Sequence, residues 1–345
     1  MKKIAVIGHF GFGLDLLNGQ TIKTKIISSE LKREFGSECV WEIDTHGGLI
    51  SYLKLPLMLL FSLIICKNIL ILPAQNGLKI IAPMLYLLNV FFRRKTHYVV
   101  IGGWMPILIS NKPFLCHSLK RLDHIYVETS VMQETLKNMG FLNVQLMLNC
   151  KPLKILGEDE LPSEINKPLK FCLFSRVMKQ KGIEHAIYAI NQLNVIHGEN
   201  TCCLDIYGQI DEREKEWFEI LQRDFSKNIH YCGVVDFDKS VDTLKIYDAL
   251  IFPTLFYTEG TPGTIIDAYA AGIPVISSRW AGYSDAVDDK VGFGYDFGSQ
   301  KALLALMKEL VLQPKLFVEK KHACINKAKE FLPCNAMRVL KNNLS

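Results

Sequence analysis

Short apolar runs, each bounded by glycine, proline or charge, alternate along this chain with longer stretches of helical spacing. In the first half, residues 3–8, 39–43, 69–72, 98–101 and 124–127 read as strands. Residues 20–35 read as a helix, and further helical patterns separate the remaining strands. A second series starts at 169–174 and continues with strands at 201–207, 228–232, 249–252 and 274–277, with helices at 181–194 and 212–225. Strands that trade places with helices predict a parallel α/β architecture. Residues 150–168 carry Pro152, Gly157, Pro162 and Pro168 among charges, a linker composition. The expectation is two Rossmann-like domains, 1–165 and 166–345, facing each other across a cleft. The last helix is a candidate to cross back to the first domain.

Two runs, 55–66 and 78–92, are apolar without being long enough for a bilayer, which takes about 20 residues. Charge changes how they read. The net +5 of the 345 residues hides 18 Lys+Arg against 9 Asp+Glu in residues 1–157. No acid lies between Asp44 and Asp123, yet nine bases do, among them Lys54, Lys67 and the cluster Arg93-Arg94-Lys95. A base beside an anionic leaflet contributes roughly 1 kcal/mol, so that cluster would give about 3. A core helix accounts for the apolarity but not for the missing acids, and peripheral contact with an anionic membrane surface is the reading preferred. Nucleic acid is excluded as a partner, because the bases alternate with Leu, Ile and Phe instead of a polar, stacking surface.

The remaining composition describes a folded globular protein, 49% hydrophobic and 22% charged. Ten cysteines show no CxxC pair and no zinc spacing. Cys39, Cys172, Cys202 and Cys232 fall in strand-like runs and are expected to be buried free thiols, which points to a reducing compartment. The apolar run at the N-terminus is too short for a secretory signal, and a cytosolic location is expected.

The richest chemistry lies in Glu259-Gly-Thr-Pro-Gly-Thr-Ile-Ile-Asp267 and the following Ala-Tyr-Ala-Ala-Gly-Ile-Pro-Val. Pro262 suits the first position of a helix and Gly272 its left-handed end. Glu259 then stands just before the helix and Asp267 about one and a half turns into it. Open N–H groups of Thr261, Gly263 and Thr264, around Pro262, would attract phosphate or sugar oxygens, while the carboxylates accept from hydroxyls. A nucleotide sugar fits that arrangement. Arg176, Lys179 and Lys181 follow the first strand of the second half, where α/β domains bind ligands, and could clamp a diphosphate. The alternative is a solvated basic loop.

The first loop is less decisive. Gly8, Gly11 and Gly13 have the wrong spacing for a dinucleotide fingerprint, and Asp44 comes late for the ribose acid, although a nicotinamide enzyme stays open. Asn18-Gly19-Gln20-Thr21 could open a helix against a phosphate, or be a plain turn. Asp236-Phe-Asp238 has a DxD metal spacing but reads as a helix cap, and no metal site is assigned. His9, His46 and His117 fall near loop ends.

From residue 169 to about 297 the chain resembles the family-4 retaining glycosyltransferases of the GT-B fold. The resemblance rests on Phe174-Ser-Arg176 with Lys181-Gly182, on Asp205-Ile-Tyr-Gly208, on Asp248-Ala-Leu-Ile-Phe-Pro-Thr254, and on the E-x7-E-like stretch Glu259 to Asp267. The first half resembles the family only loosely, through Gly19 and Asn149. The resemblance implies transfer of a hexose-type sugar from a UDP- or GDP-sugar with retention, without a cofactor or required metal. It implies Arg176 and Lys181 on the diphosphate, Glu259 on the donor sugar, and Asp267 on the ribose, where the family usually has Glu. Relatives with greasy, basic first domains work at the inner membrane on lipid-linked or oligosaccharide acceptors for capsule, exopolysaccharide or lipopolysaccharide. A nucleotide-sugar epimerase on the same scaffold, or a non-catalytic membrane-assembly protein, are the rival functions.

Overall fold

The computed structural model describes residues 3–14, 19–165 and 167–345, with the side chains of 48–52 outside that description. Asn18, named above beside Gly19, lies outside the described residues. The chain forms two compact units: residues 1–152 together with 333–345, and residues 153–332. The division falls inside the proline-bearing stretch 150–168.

The first unit runs β1 (Ile4–Gly8), α1 (Gly19–Phe35), β2 (Val40–Asp44), α2 (Gly48–Ile65), β3 (Asn68–Leu72), α3 (Gln75–Phe92), β4 (Lys95–Val99), α4 (Met105–Ile109), α5 (Pro113–Lys120), β5 (His124–Val127), α6 (Ser130–Asn138) and β6 (Val144–Leu146). Its sheet is parallel throughout, in the order β2-β1-β3-β4-β5-β6. The second unit runs β7 (Leu169–Phe174), α7 (Ile183–His197), β8 (Cys202–Tyr207), α8 (Lys215–Arg223), β9 (Ile229–Gly233), α9 (Ser240–Leu244), β10 (Ala249–Phe252), α10 (Gly263–Ala270), β11 (Val275–Ser278), α11 (Tyr283–Ala286), β12 (Gly292–Tyr295), α12 (Gln300–Leu312) and α13 (Lys315–Ala328). Its sheet is also parallel, ordered β12-β11-β10-β7-β8-β9. The chain then closes the first unit with α14 (Pro333–Ala336) and α15 (Arg338–Leu344).

Central strands such as Ile-Ala-Val-Ile-Gly of β1 and Asn-Ile-Leu-Ile-Leu of β3 are buried along their whole length. Helices on both faces of a parallel sheet require that, and it is why these strands read as continuous apolar runs. The closing helices are part of the first unit's core. Met337, Leu340 and Leu344 pack with Ile4, Val6 and Leu70, Asn68 Nδ2 donates to the Leu344 carbonyl at 3.1 Å, and Lys341 reaches Glu30 and Glu34 at 3.2 and 2.9 Å.

Three expectations need correction. β4 starts at Lys95 and ends at Val99, earlier than 98–101, because its opening residues are polar yet satisfied. The Asp123 carboxylate accepts from Thr96 N and Oγ1, both at 2.8 Å, while buried His97 pairs with the Tyr126 hydroxyl and Asn68. β6 and β12 were not foreseen, one being three residues long and the other alternating glycine with aromatics. Of the four thiols expected inside, Cys172 and Cys202 are buried, but Cys232 is exposed and Cys39 half-buried. Cys232 lies on edge strand β9, facing away from its core, and Cys39 sits in the short turn before β2.

Helices α2 and α3 are apolar on both faces, with Pro56 and Pro83 inside them. Leu55, Leu59 and Leu63 face the core, whereas Leu53, Leu57, Phe61 and Ile64 face out; Ile81, Ala82 and Leu85 are buried, whereas Ile80, Leu87 and Phe91 are not. No helix among the described residues is long and apolar enough to cross a membrane. The basic cluster is smaller than its sequence implies. Arg94 Nε donates to the Leu63 carbonyl at 2.7 Å and so caps the end of α2, leaving Arg93 and Lys95 exposed.

Burial holds the His97 imidazole down at about 3, against 6.5 for an unperturbed histidine. Below pH 6.5 the unfolded chain therefore binds a proton that the folded unit refuses. Stability is expected to fall with falling pH across that window, by up to about 1.4 kcal/mol per pH unit. Urea denaturation between about pH 7 and about pH 5 checks this, and His97→Gln should flatten the slope.

Candidate functional site

In the second unit β7 and β10 are neighbours whose following connections diverge to opposite sides, which is where open α/β sheets bind ligands. Two loops leave their carboxyl ends: residues 175–182 after β7 and 253–262 after β10. They touch at Gly182, whose φ of 69° is left-handed and whose missing Cβ would lie 2.0 Å from the Pro253 carbonyl oxygen. Only glycine fits both demands. The Leu255 amide donates to the Gln180 carbonyl at 2.8 Å, clamping the loops together.

That contact sets Lys181 against Glu259. The lysine Nζ stands 2.6 and 2.8 Å from the two carboxylate oxygens, and both side chains are mostly buried, 17% and 15% exposed. Thr254 Oγ1 donates to Glu259 Oε2 at 3.0 Å, and the Phe256 amide donates to the same hydroxyl at 3.1 Å. The Phe252 ring lies 5.7 Å below the ammonium. Two of the three lysine donors are thereby committed to Glu259, which leaves one N–H.

Arg176 is held more loosely. Its Nη1 is 3.6 Å from Asp211 Oδ2, and it is half-exposed. Asp211 is principally bound by Arg213, through two side-chain bonds at 3.0 Å and one backbone bond at 3.1 Å, which hold its carboxyl down at about 2. Arg176 is therefore a cation with a weak tether.

Pro262 is the N-cap of α10 and not its first residue, so Gly263 opens the helix. No side chain caps that end, and open space lies where a Cβ on Gly263 would point. Thr264 Oγ1 is buried with no hydrogen-bond partner among the described residues, while Thr261 is almost fully buried. Gly272 ends the helix in the expected left-handed conformation at φ 68°. Asp267 is 2% exposed, and its Oδ1 accepts from Ser240 Oγ at 2.9 Å. Its side chain, a methylene shorter than Glu, stays inside the packing between α9 and α10.

Lys181 and Glu259, expected on the diphosphate and on the donor sugar, thus meet each other, whereas Arg176 faces Asp211 and Asp267 faces Ser240. Asp211 and Ser240 were not singled out from sequence, and Thr254 only as the end of the stretch Asp248 to Thr254. Thr254 and Ser240 carry no charge and Asp211 sits in an ordinary polar turn, so none gave a signal beyond following a strand. Asp236 stands at the N-cap of the turn Phe237–Lys239, but it acts through its carbonyl, which accepts from the Lys239 amide, and not through its side chain. No cluster suited to a metal occurs among the described residues.

Gly19 and Gln20, expected near the donor, open α1 in the first unit. Gln20 lines a cavity of about 440 Å³ there, with His9, Thr45, Gln75, Asn76 and Trp104. His9 and His46 are 2.9 Å apart, and His117 meets the Tyr86 hydroxyl at 3.3 Å.

The model of the glycosyl transferases group 1 family matches residues 158–331, just over half of the chain and all of the site assembled by β7, β10 and α10. The chain belongs to that family. Group 1 transferases are retaining, nucleotide-sugar-dependent enzymes of the GT-B fold. Among solved structures, Anabaena HepE in complex with UDP is similar over 100% of this chain and 99% of its own, at 13% identity and a TM-score of 0.76. Sucrose-phosphate synthase from Thermosynechococcus elongatus is similar over 99% and 98%, at 14% and 0.73. The lipopolysaccharide outer core galactosyltransferase WaaB, in its apo form, is similar over 99% of each chain, at 15% and 0.66. At such identities the likeness establishes the fold. No curated protein matches the chain in sequence.

Gly182→Ala in this group 1 transferase is expected to cost about 1–3 kcal/mol, through the strained backbone and the clash with Pro253. Gly263→Ala, with open space at its Cβ, is expected to stay within about 0.5 kcal/mol. Chemical denaturation of the two variants side by side checks the contrast.

Proposed function

We propose that this enzyme moves a hexose-type sugar from a UDP- or GDP-sugar, with retention, to a lipid-linked saccharide acceptor in the synthesis of capsule, exopolysaccharide or lipopolysaccharide. The observation that carries the donor half is the Lys181–Glu259 pair, set beside an uncapped helix start by the Gly182–Pro253 contact. Rupture of the glycosidic C–O bond leaves negative charge on the diphosphate. Lys181, with one N–H to spare, and Arg176, weakly tethered, offset that charge as it develops. Glu259 accepts from hydroxyls of the donor sugar. The N–H groups from Gly263 and Thr264 face the phosphates, supported by Thr261 and Pro262. Asp267, buried against Ser240, holds the α9–α10 packing on which the nucleotide ribose would rest. HepE was solved with UDP-glucose, which makes that donor the first to try.

The membrane half of the proposal rests on α2 and α3. A surface helix that is apolar all round is covered by something greasy. The exposed Leu53, Leu57, Phe61, Leu87 and Phe91 share that surface with Lys54, Lys67, Arg93 and Lys95, so the cover proposed is an anionic leaflet at the inner face of the cell membrane.

Arg176→Ala and Lys181→Ala are each expected to lower kcat by about 10²–10³, the scale for one lost electrostatic stabiliser. Asp267→Ala is expected to weaken donor binding more than turnover. A panel of labelled nucleotide sugars is the deciding experiment: transfer or slow hydrolysis supports the proposal, a new sugar isomer replaces it with an epimerase, and binding without turnover replaces it with a non-catalytic role. Flotation with phosphatidylglycerol vesicles tests the surface separately. Wild type is expected to float and Leu87→Ser/Phe91→Ser to stay down; a wild type that does not float removes the membrane claim.

A further inference from the structure

In the second unit, the neighbouring strands β10, β11 and β12 each deliver one side chain just past their carboxyl ends: Tyr257, Arg279 and Phe297. Ligands of open α/β sheets gather at that edge. The three loops are tied to one another. The Ala281 amide donates to the Tyr257 carbonyl at 3.0 Å, and the Arg279 amide donates to the Tyr295 carbonyl at 2.9 Å. Tyr257 and Phe297 meet edge to face, with ring centres 5.1 Å apart and planes at 76°. Tyr257 is 56% exposed. The Glu259 amide donates to the Phe256 carbonyl at 3.2 Å, and this turn keeps the Glu259 carboxylate inside against Lys181 while Tyr257 stays outside.

Arg279 is held in place by its neighbours. Its guanidinium carbon stands 5.9 Å from the centre of the Tyr283 ring, within reach of the ring's negative face. Gly294 makes room for both side chains: a Cβ there would stand 2.3 Å from the Tyr283 hydroxyl and 3.0 Å from Arg279 Nε. The charge itself is poorly matched. Arg279 Nη1 is 3.8 Å from Asp296 Oδ1, and both side chains are more than half exposed. That separation is too long for a hydrogen bond, so the guanidinium fork has donors to offer a ligand.

An aromatic pair open to solvent matches the apolar C–H face of a sugar ring. A planar guanidinium matches a carboxylate, which takes two parallel N–H bonds from it. A single cation with Asp296 close by suits one negative charge better than a phosphate monoester, which carries nearly two. We propose that this edge of the second unit reads the acceptor, and that it takes a sugar bearing a carboxylate. The ring rests against Tyr257 and Phe297, and the acid group meets Arg279. The acceptor class is then a saccharide that already contains a uronic acid unit. This inference rests on the glycosyl-transfer function proposed above.

The test is saturation-transfer NMR with methyl β-D-glucuronide, methyl β-D-glucoside and glucose 6-phosphate, with UDP present throughout to fill the donor site. The expected result is saturation of the glucuronide ring protons, with the other two probes about fivefold weaker. Arg279→Gln is expected to bring the glucuronide down to the level of the glucoside. Tyr257→Ala should weaken both glycosides, and Tyr257→Phe should restore them. Both positions are exposed, so neither change removes a core contact. The proposal is overturned if no ring proton is saturated, if the glucoside or glucose 6-phosphate binds as well as the glucuronide, or if Arg279→Gln leaves the preference intact. A glucuronide that binds only when UDP is omitted sits on the diphosphate cations and also overturns it. So does an Arg279→Gln variant that loses affinity for UDP-glucuronic acid and not for UDP-glucose, since the arginine would then read the donor. The labelled nucleotide-sugar panel keeps the two claims apart. Glucuronide binding at Arg279 without transfer from any nucleotide sugar would defeat the transferase proposal and leave the acidic-sugar site standing, and transfer with no glucuronide preference would do the reverse.

Discussion

The second unit's chemistry depends on one close approach, the backbone of Gly182 against the Pro253 carbonyl. The two loops belong to strands β7 and β10, which are 78 residues apart at the paired side chains and adjacent in the sheet. A side chain at Gly182 would force them apart, and Lys181 would lose Glu259. With the approach in place, the ammonium is oriented by two carboxylate oxygens and the carboxylate by Thr254, so the pair is arranged before any ligand arrives. Preorganisation of that kind is what makes fixed charges effective in a water-poor site.

Arg176 shows the other side of the same design. Asp211 is kept ionised by Arg213, and Arg176 is only the secondary partner at 3.6 Å. A cation that must meet charge developing on a leaving group gains from a weak tether, because little has to be broken when it turns. At one sheet edge the lysine is thus held by two carboxylate oxygens and the arginine by one longer contact.

The first unit uses polar groups sparingly and for packing. Arg94 caps α2, Asn68 and Asn343 tie α15 to the sheet, and the buried Lys23–Glu128 pair pins α1 to the end of β5. The bases left outside accompany α2 and α3, whose outward faces are as apolar as their inward ones. The cavity at the ends of β1 and β3 is lined, among the described residues, by rings, amides and a hydroxyl.

Much of this was legible along the chain. Apolar runs located ten of the twelve strands among the described residues, most plainly those buried throughout such as β1 and β3, and β6 and β12 escaped because they are short or glycine-rich. The E-x7-E-like stretch with Lys181-Gly182 identified the chemistry, because helix punctuation and charge spacing are local properties. What the sequence could not decide was partnership. Whether Lys181 meets Glu259, whether Asp267 faces Ser240, whether Arg94 faces a membrane or the end of a helix, and whether His9, Gln20, Thr45 and Trp104 line one cavity all depend on strand order. Strand order is set by how buried faces pack, a property of the whole sheet that no local pattern encodes.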